Sequence, residues 1–249
     1  MKHLQTVMGI PISVDIRDEG DFSAAITRAY DALVEADHRF STYRPDSEVS
    51  LINRGLLAPS EYSDDLREVL AIGASAQRTS HGAFAVRVPG GAGLDANGVA
   101  KGWAVQRAAD ILERADAHNF CLNAGGDIVV RGNADQNAGW NIGVRSPWDP
   151  AAMIAVFCLH DEAIATSGAY ERGNHIADGR TGLAAPSDLA SVSVIATSLT
   201  TADVVATAVF ALGEDGVEWA VQNYECGVFA VRSDGSSLTS GPVPLAAGV

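Results

Sequence analysis

Five short segments rich in glycine and small polar residues punctuate this chain, each standing where an apolar run begins or ends. They read LDANGVAKG at 94–102, LNAGGD at 122–127, TSGAYER at 166–172, HIADGRTG at 175–182 and TADVVATA at 201–208. Glycine lacks a Cβ and tolerates positive φ, so such loops let a backbone approach a polar ligand closely. Their joint occurrence points to one site built from turns and helix ends, suited to phosphate and a metal ion.

The intervening segments carry the periodicities of an α+β protein. Thr6–Ile16 alternates as a strand, and 21–40 places Phe22, Ala25, Ile26, Ala29, Leu33 and Phe40 on one face of a helix with Asp21 as N-cap. A second helix spans about 63–78, AFAVRV at 83–88 reads as a strand, and a third helix follows Asp95 to about Arg114. Strands are expected near 119–123, 127–131, 140–144, 153–159, 191–197 and 227–232, with helices at 201–212 and 214–223. Helices and hairpin-like strands in this order do not make a regular βαβ alternation. No repeat, charge run or low-complexity linker marks a boundary, so 1–249 reads as one domain, built either as a unit or as two packed α/β halves.

A chain of 249 residues, 47% of them hydrophobic, can bury a full core. Its formal charge of −14 argues against a nucleic-acid surface, which needs clustered Lys and Arg. An anionic ligand therefore requires local cations, and Lys101, Arg172 and Arg180 lie inside the polar segments. Cys121, Cys158 and Cys226 are far apart in apolar contexts and read as buried thiols of a reducing compartment. The N-terminus shows no apolar h-region and no stretch is long enough to span a bilayer, so a cytoplasmic protein without membrane insertion is expected.

In TADVVATA, Asp203 and Thr207 are four apart on a helix, which turns a carboxylate and a hydroxyl to the same side. They can hold a hard cation; alternatively Thr201 or Asp203 caps the helix. In LDANGVAKG, Asp95 precedes a turn and Lys101 falls near the start of a helix, where the dipole and the ammonium both favour phosphate. The match of 91–96 to G-x-G-x-x-A is assigned to chance, since those glycines precede the helix start. His175 sits beside Asp178 and Arg180 in a glycine-flanked loop, either as a ligand contact or as a loop hydrogen bond.

Taken in order, MGIPISV, FSTYRPDSEVSLIN, LDANGVAKGWAVQRAADIL, LNAGGDIVVRG, NIGVRSP, AIATSGAYER, HIADGRTG and SVSVIATSLTTADVVATAVFALG resemble the FAD:protein FMN transferases, the ApbE-type flavin transferases, over roughly residues 8–213. The resemblance implies a T-fold-like architecture of mixed or antiparallel sheets packed with helices. It implies Mg²⁺-dependent transfer of the FMN part of FAD to a Thr or Ser hydroxyl of an acceptor flavoprotein, with release of AMP. By the same resemblance Gly98, Asp203, Ala206 and Thr207 match metal-binding positions, the first and third through their carbonyls. Met8, Tyr43, Ala83, Phe84, Asp95, Lys101, His175 and Ala177 match FAD-contacting positions, and His175 and Asp203 carry the catalytic roles.

This chain departs from the family pattern at Ala85, where an aspartate is usual, and at Gly179, where a proline is usual. Two other functions use the same residues: an FAD pyrophosphatase giving FMN and AMP, and a non-catalytic FAD carrier. Self-flavinylation is not expected, because Tyr170 follows Thr166-Ser167-Gly168-Ala169 where an acceptor motif needs threonine.

Overall fold

The structure, a computed structural model, describes residues 1–87, 90, 93–136, 138–168 and 176–246. The alternating N-terminal stretch is a hairpin rather than one strand: β1 (Lys2–Val7) and β2 (Ile10–Ile16) run antiparallel with Val7 opposite Ile10. Met8 and Gly9 form the two-residue turn with φ of 55° and 73°. Positive φ at both positions matches the strand twist, as in a type I′ hairpin. The alternation runs straight through, and Met-Gly lacks the Asn-Gly or Asp-Gly signature, which is why the sequence reads as unbroken.

The other strands are β3 (Phe120–Ala124), β4 (Asp127–Arg131), β5 (Trp140–Arg145), β6 (Met153–Leu159), β7 (Ala163–Gly168), β8 (Leu189–Ala196), β9 (Cys226–Arg232) and β10 (Ser237–Ser240). Eight of them make an antiparallel sheet in the order β1-β2-β3-β4-β7-β8-β9-β10, and β5 with β6 makes a separate ribbon. The segment 83–87 is not the expected strand. Ala83 and Phe84 are buried side by side, which an alternating strand on one buried face does not allow, and only Arg87 forms a bridge, to Leu94. The segment is a loop tied by the Ala83 and Phe84 N–H groups to Ser80.

The helices are α1 (Ser23–Phe40), α2 (Glu48–Asn53), α3 (Asp64–Thr79), α4 (Asn97–Glu113), α5 (Leu199–Leu212) and α6 (Asp215–Asn223). Ser47 and Ser63 cap α2 and α3 by accepting the Ser50 and Leu66 N–H groups, whereas Asp21 is not the N-cap of α1, which is Phe22, but accepts the Ser23 N–H from one residue further out. Helices α1, α4 and α5 cover one face of the sheet, against Val129, Ala163, Ala165, Val192, Val194, Val228 and Ala230. The ribbon covers the other, where Trp140, Ile142, Phe157 and Leu159 pack on Ile128, Val130, Ile164, Ile195, Phe229 and Val231. Strands β4 and β9 are thus buried on both sides, each large apolar residue contributing roughly 1.5–3 kcal/mol. Among the described residues no helix is long and apolar enough to cross a membrane.

Candidate functional site

Helix α5 lies inside the protein between α4 and the sheet, and it packs tightly against α4 at Gly102. A Cβ on Gly102 would stand 2.7 Å from Asp203 Cβ and 2.8 Å from the Leu199 carbonyl oxygen. Only glycine fits there without moving a helix. The gap it leaves lets the Gly102 N–H donate to Asp203 Oδ2 at 2.9 Å. A second tie runs from the Leu199 N–H to Gln106 Oε1, 2.8 Å. Neither Thr201 nor Asp203 caps α5; both lie inside it, and the Asp203 carboxylate serves α4 instead.

This crossing gathers charge. Lys101 Nζ meets Asp127 Oδ2 and stands 3.6 Å from Asp203 Oδ1. Both carboxylates are buried, at 3% and 4% exposure, so their charge has to be balanced locally. Burial pushes the Asp203 carboxyl above its usual range; Lys101 opposes the rise, Asp127 adds to it, and the Gly102 N–H opposes it. Asp127 also accepts the Thr166 N–H at 3.2 Å, and the next residue, Ser167, places its hydroxyl 3.4 Å from that of Thr207. The site therefore joins α4, α5, β4 and the end of β7. Sequence reasoning passed over Asp127, the last residue of LNAGGD. Its signal was an aspartate opening an otherwise apolar strand, DIVV, where burial demands a partner.

Two loops wall the same region. The Phe84 ring lies against Gly98, 3.2 Å from where a Cβ would be, and Ala83 is fully buried beside it. The Gly179 N–H donates to the Ala83 carbonyl at 2.9 Å, so the loop bearing Ala177 rests on the loop bearing Phe84. Ala177 bridges to Ala184. Next to it, hydrogen bonds from Arg180 hold the Asp178 carboxyl below its usual range against the opposing effect of burial.

The remaining expected residues scatter more widely. Met8 is half-buried in the β1–β2 turn, near the Gly125–Gly126 turn, where Gly125 lies against Ile10. Asp95 is exposed and accepts the Asn97 N–H from just ahead of Ala96, the α4 N-cap. Ala206 is fully buried in α5. Tyr43 stands on the surface at 93% exposure, away from the buried charges. His175 lies outside the described residues. All three cysteines are free; Cys226 is buried, whereas Cys121 and Cys158 are only half-buried. Two open grooves of about 590 and 720 Å³ lie elsewhere, and none of these site residues lines them except Cys226 in the larger.

The residues present fit a magnesium ion. Every candidate donor is oxygen: the Asp203 carboxylate, the Thr207 hydroxyl and the carbonyls of Gly98 and Ala206, which is the chemistry Mg²⁺ prefers. Among the described residues two buried carboxylates face one ammonium, a balance that favours a cation. Among the described residues no three His, Cys, Asp or Glu converge as a full cage. Mg²⁺ commonly binds with one or two carboxylates and completes its shell with water and substrate phosphate.

A sequence model described as the ApbE family matches residues 8–90 and 85–230. A Haemophilus influenzae protein named FAD:protein FMN transferase is 26% identical over 299 residues, covering 93% of this chain and 86% of that protein. A Klebsiella pneumoniae protein of the same name is 30% identical over 162 residues, but the match covers only 61% of this chain and 49% of that one. Among solved structures, a flavin transferase ApbE from Vibrio cholerae superposes with a TM-score of 0.85 at 24% identity, covering 96% of both chains. The ApbE protein of Thermotoga maritima gives 0.83 at 23%, again with 96% of both covered. At such identities these structures speak to the fold, a mixed α+β architecture of antiparallel sheets and helices that this chain shares with them.

Proposed function

We propose, since this chain belongs to the ApbE family, that it is an FAD:protein FMN transferase which moves the FMN part of FAD onto a Thr or Ser hydroxyl of an acceptor flavoprotein and releases AMP. The observation that carries this reading is the Lys101 ammonium set between two buried carboxylates beside the start of α4. An ammonium near a helix N-terminus favours a pyrophosphate, and the carboxylate excess favours a divalent cation with it.

In the proposed reaction the acceptor hydroxyl oxygen attacks the phosphorus on the FMN side. The bond from that phosphorus to the bridging oxygen breaks, and AMP leaves with the bridging oxygen. Bound Mg²⁺ would neutralise charge developing on the phosphate oxygens. Lys101 would hold the pyrophosphate from the α4 side, while Asp203, Thr207 and the carbonyls of Gly98 and Ala206 would hold the cation. Ala83, Phe84, Asp95 and Ala177 contact FAD, with Met8 and Tyr43 at the flavin end. His175 orients the hydroxyl or takes its proton. Residues 1–249 act as one domain, and the three free cysteines support work in a reducing, cytoplasmic setting.

The test is incubation with FAD and Mg²⁺, with and without an acceptor flavoprotein, following AMP by chromatography and acceptor mass. A flavinylated acceptor is the expected result. AMP and free FMN without an adduct would make the protein a pyrophosphatase, and FAD binding without AMP would remove the catalytic reading.

A further inference from the structure

Among the described residues two carboxylates lie within reach of the Lys101 ammonium, which is not shared equally between them. It is in direct contact with Asp127 Oδ2 but 3.6 Å from Asp203 Oδ1. The other oxygen of each carboxylate is tied to backbone: Asp127 Oδ1 to the Thr166 N–H and Asp203 Oδ2 to the Gly102 N–H. Each aspartate therefore has one oxygen to offer, and the lysine has taken that of Asp127. A lysine seated fully on Asp203 would neutralise the one carboxylate that α5 presents beside Thr207, the pair read as cation ligands.

We propose that Asp127 is a positioning residue that draws the Lys101 ammonium away from Asp203 and so leaves Asp203 Oδ1 available to a divalent cation. Asp127 is suited to this. It is buried on a strand covered on both faces and its carboxylate is fixed by β7. The lysine side chain, by contrast, is one-third exposed and long enough to choose. The inference rests on the Mg²⁺ reading of Asp203 and Thr207. It assigns Asp127 no contact with the cation itself.

The experiment is a double-mutant cycle read by isothermal titration with Mg²⁺ alone, on wild type, Asp127→Asn, Lys101→Met and the double variant, each checked by thermal melting. Asn keeps an acceptor for the Thr166 N–H and removes the charge. The lysine then turns to Asp203, and Mg²⁺ affinity is expected to fall about tenfold or more, the range of coupling between groups in one network. Lys101→Met should then raise affinity at least about tenfold more in the Asn background than in wild type. Asp127→Glu, which restores the charge, should bind within about threefold of wild type. Equal Lys101→Met effects in both backgrounds would mean simple charge summation and would overturn the proposal, as would unchanged affinity in Asp127→Asn. Should Asp127→Asn fail to fold, Asp127→Ser carries the same comparison. Absence of Mg²⁺ binding by wild type would remove the metal reading and this proposal with it, an outcome separate from binding that ignores Asp127.

Discussion

Replacing Gly102 by alanine sets helix propensity against helix packing. Alanine favours the helix interior by about 0.5–1 kcal/mol over glycine. The new Cβ, however, would lie 2.7 Å from Asp203 Cβ and 2.8 Å from the Leu199 carbonyl oxygen. Carbon atoms rest at about 3.5 Å or more, so α4 and α5 must separate by about 0.8 Å. Neither obstacle is the free end of a flexible side chain. Overpacking of this kind costs about 1–3 kcal/mol, which leaves a net loss of about 0–2.5 kcal/mol. For a chain of this size that lowers the melting temperature by no more than about 10 °C.

Function should suffer far more, because the displaced atoms are those of Asp203 and the hydrogen bond from the Gly102 N–H is stretched with them. A misplacement of this order costs about 100-fold in rate. The assay pairs chemical denaturation with Mg²⁺-dependent AMP release from FAD. A folded Gly102→Ala protein with wild-type turnover would refute the claim that the α4–α5 contact sets the site. Gly98→Ala is the control for stability: its Cβ would crowd the Phe84 ring at 3.2 Å and touch the Thr207 methyl only at an ordinary 4.0 Å, and a ring can give, so the melting temperature should shift less.

Asp203→Asn is expected to lower Mg²⁺-dependent AMP release about 100-fold or more while keeping the acceptor for the Gly102 N–H, and a folded variant with normal release would exclude Asp203 as a ligand. Asp18 accepts the N–H groups of His118 and Asn119 and the Asn119 amide, and these bonds hold its carboxyl below the usual range although burial alone would raise it. Because the folded value is depressed, the contribution is complete above the unfolded value of about 4 and is lost as pH falls through the folded one. Asp18→Ala should therefore cost about 1–3 kcal/mol in urea denaturation at pH 7, and a cost undiminished in strong acid would contradict the assignment. Burial pushes the Cys121 thiol up to about 12 and the Cys226 thiol up to about 11, so both should resist alkylation at pH 8 until the protein unfolds. Rapid labelling of either in the native state would disprove the packing.

The parts of the site that the sequence disclosed are those carried by one element. Asp203 and Thr207 could be paired because helical spacing alone sets their relation, and Lys101 because its helix start was visible in LDANGVAKG. Asp127 was hidden, since its burial depends on β4 lying between β3 and β7, and β7 comes from a stretch, AIATSG, too small and mild to announce a strand. The helices α1, α3, α4 and α5 were legible from apolar period and caps to within two residues. The hairpin at Met8–Gly9 and the loop at 83–87 were not, because hydrophobic alternation records burial and says nothing of whether a neighbouring strand is there to pair.

Ala85 and Gly179, where the resemblance leads one to expect an aspartate and a proline, are far apart in the chain but meet in the fold. A Cβ at 179 would lie 2.6 Å from Ala85 Cβ and 2.4 Å from the Gly82 carbonyl oxygen. The Gly179 N–H also donates to the Ala83 carbonyl, a bond that proline cannot make. A proline at 179 would thus both remove a donor and push its ring into the 82–85 loop, and a larger side chain at 85 would press on the same space. The two small residues are one adjustment: each permits the other, and together they let the loop of Ala177 close directly onto the loop of Phe84. Phe84 in turn lies against Gly98, at the start of α4. The contact that replaces a proline's rigidity is therefore a backbone hydrogen bond, and it runs toward the same helix end that carries Lys101.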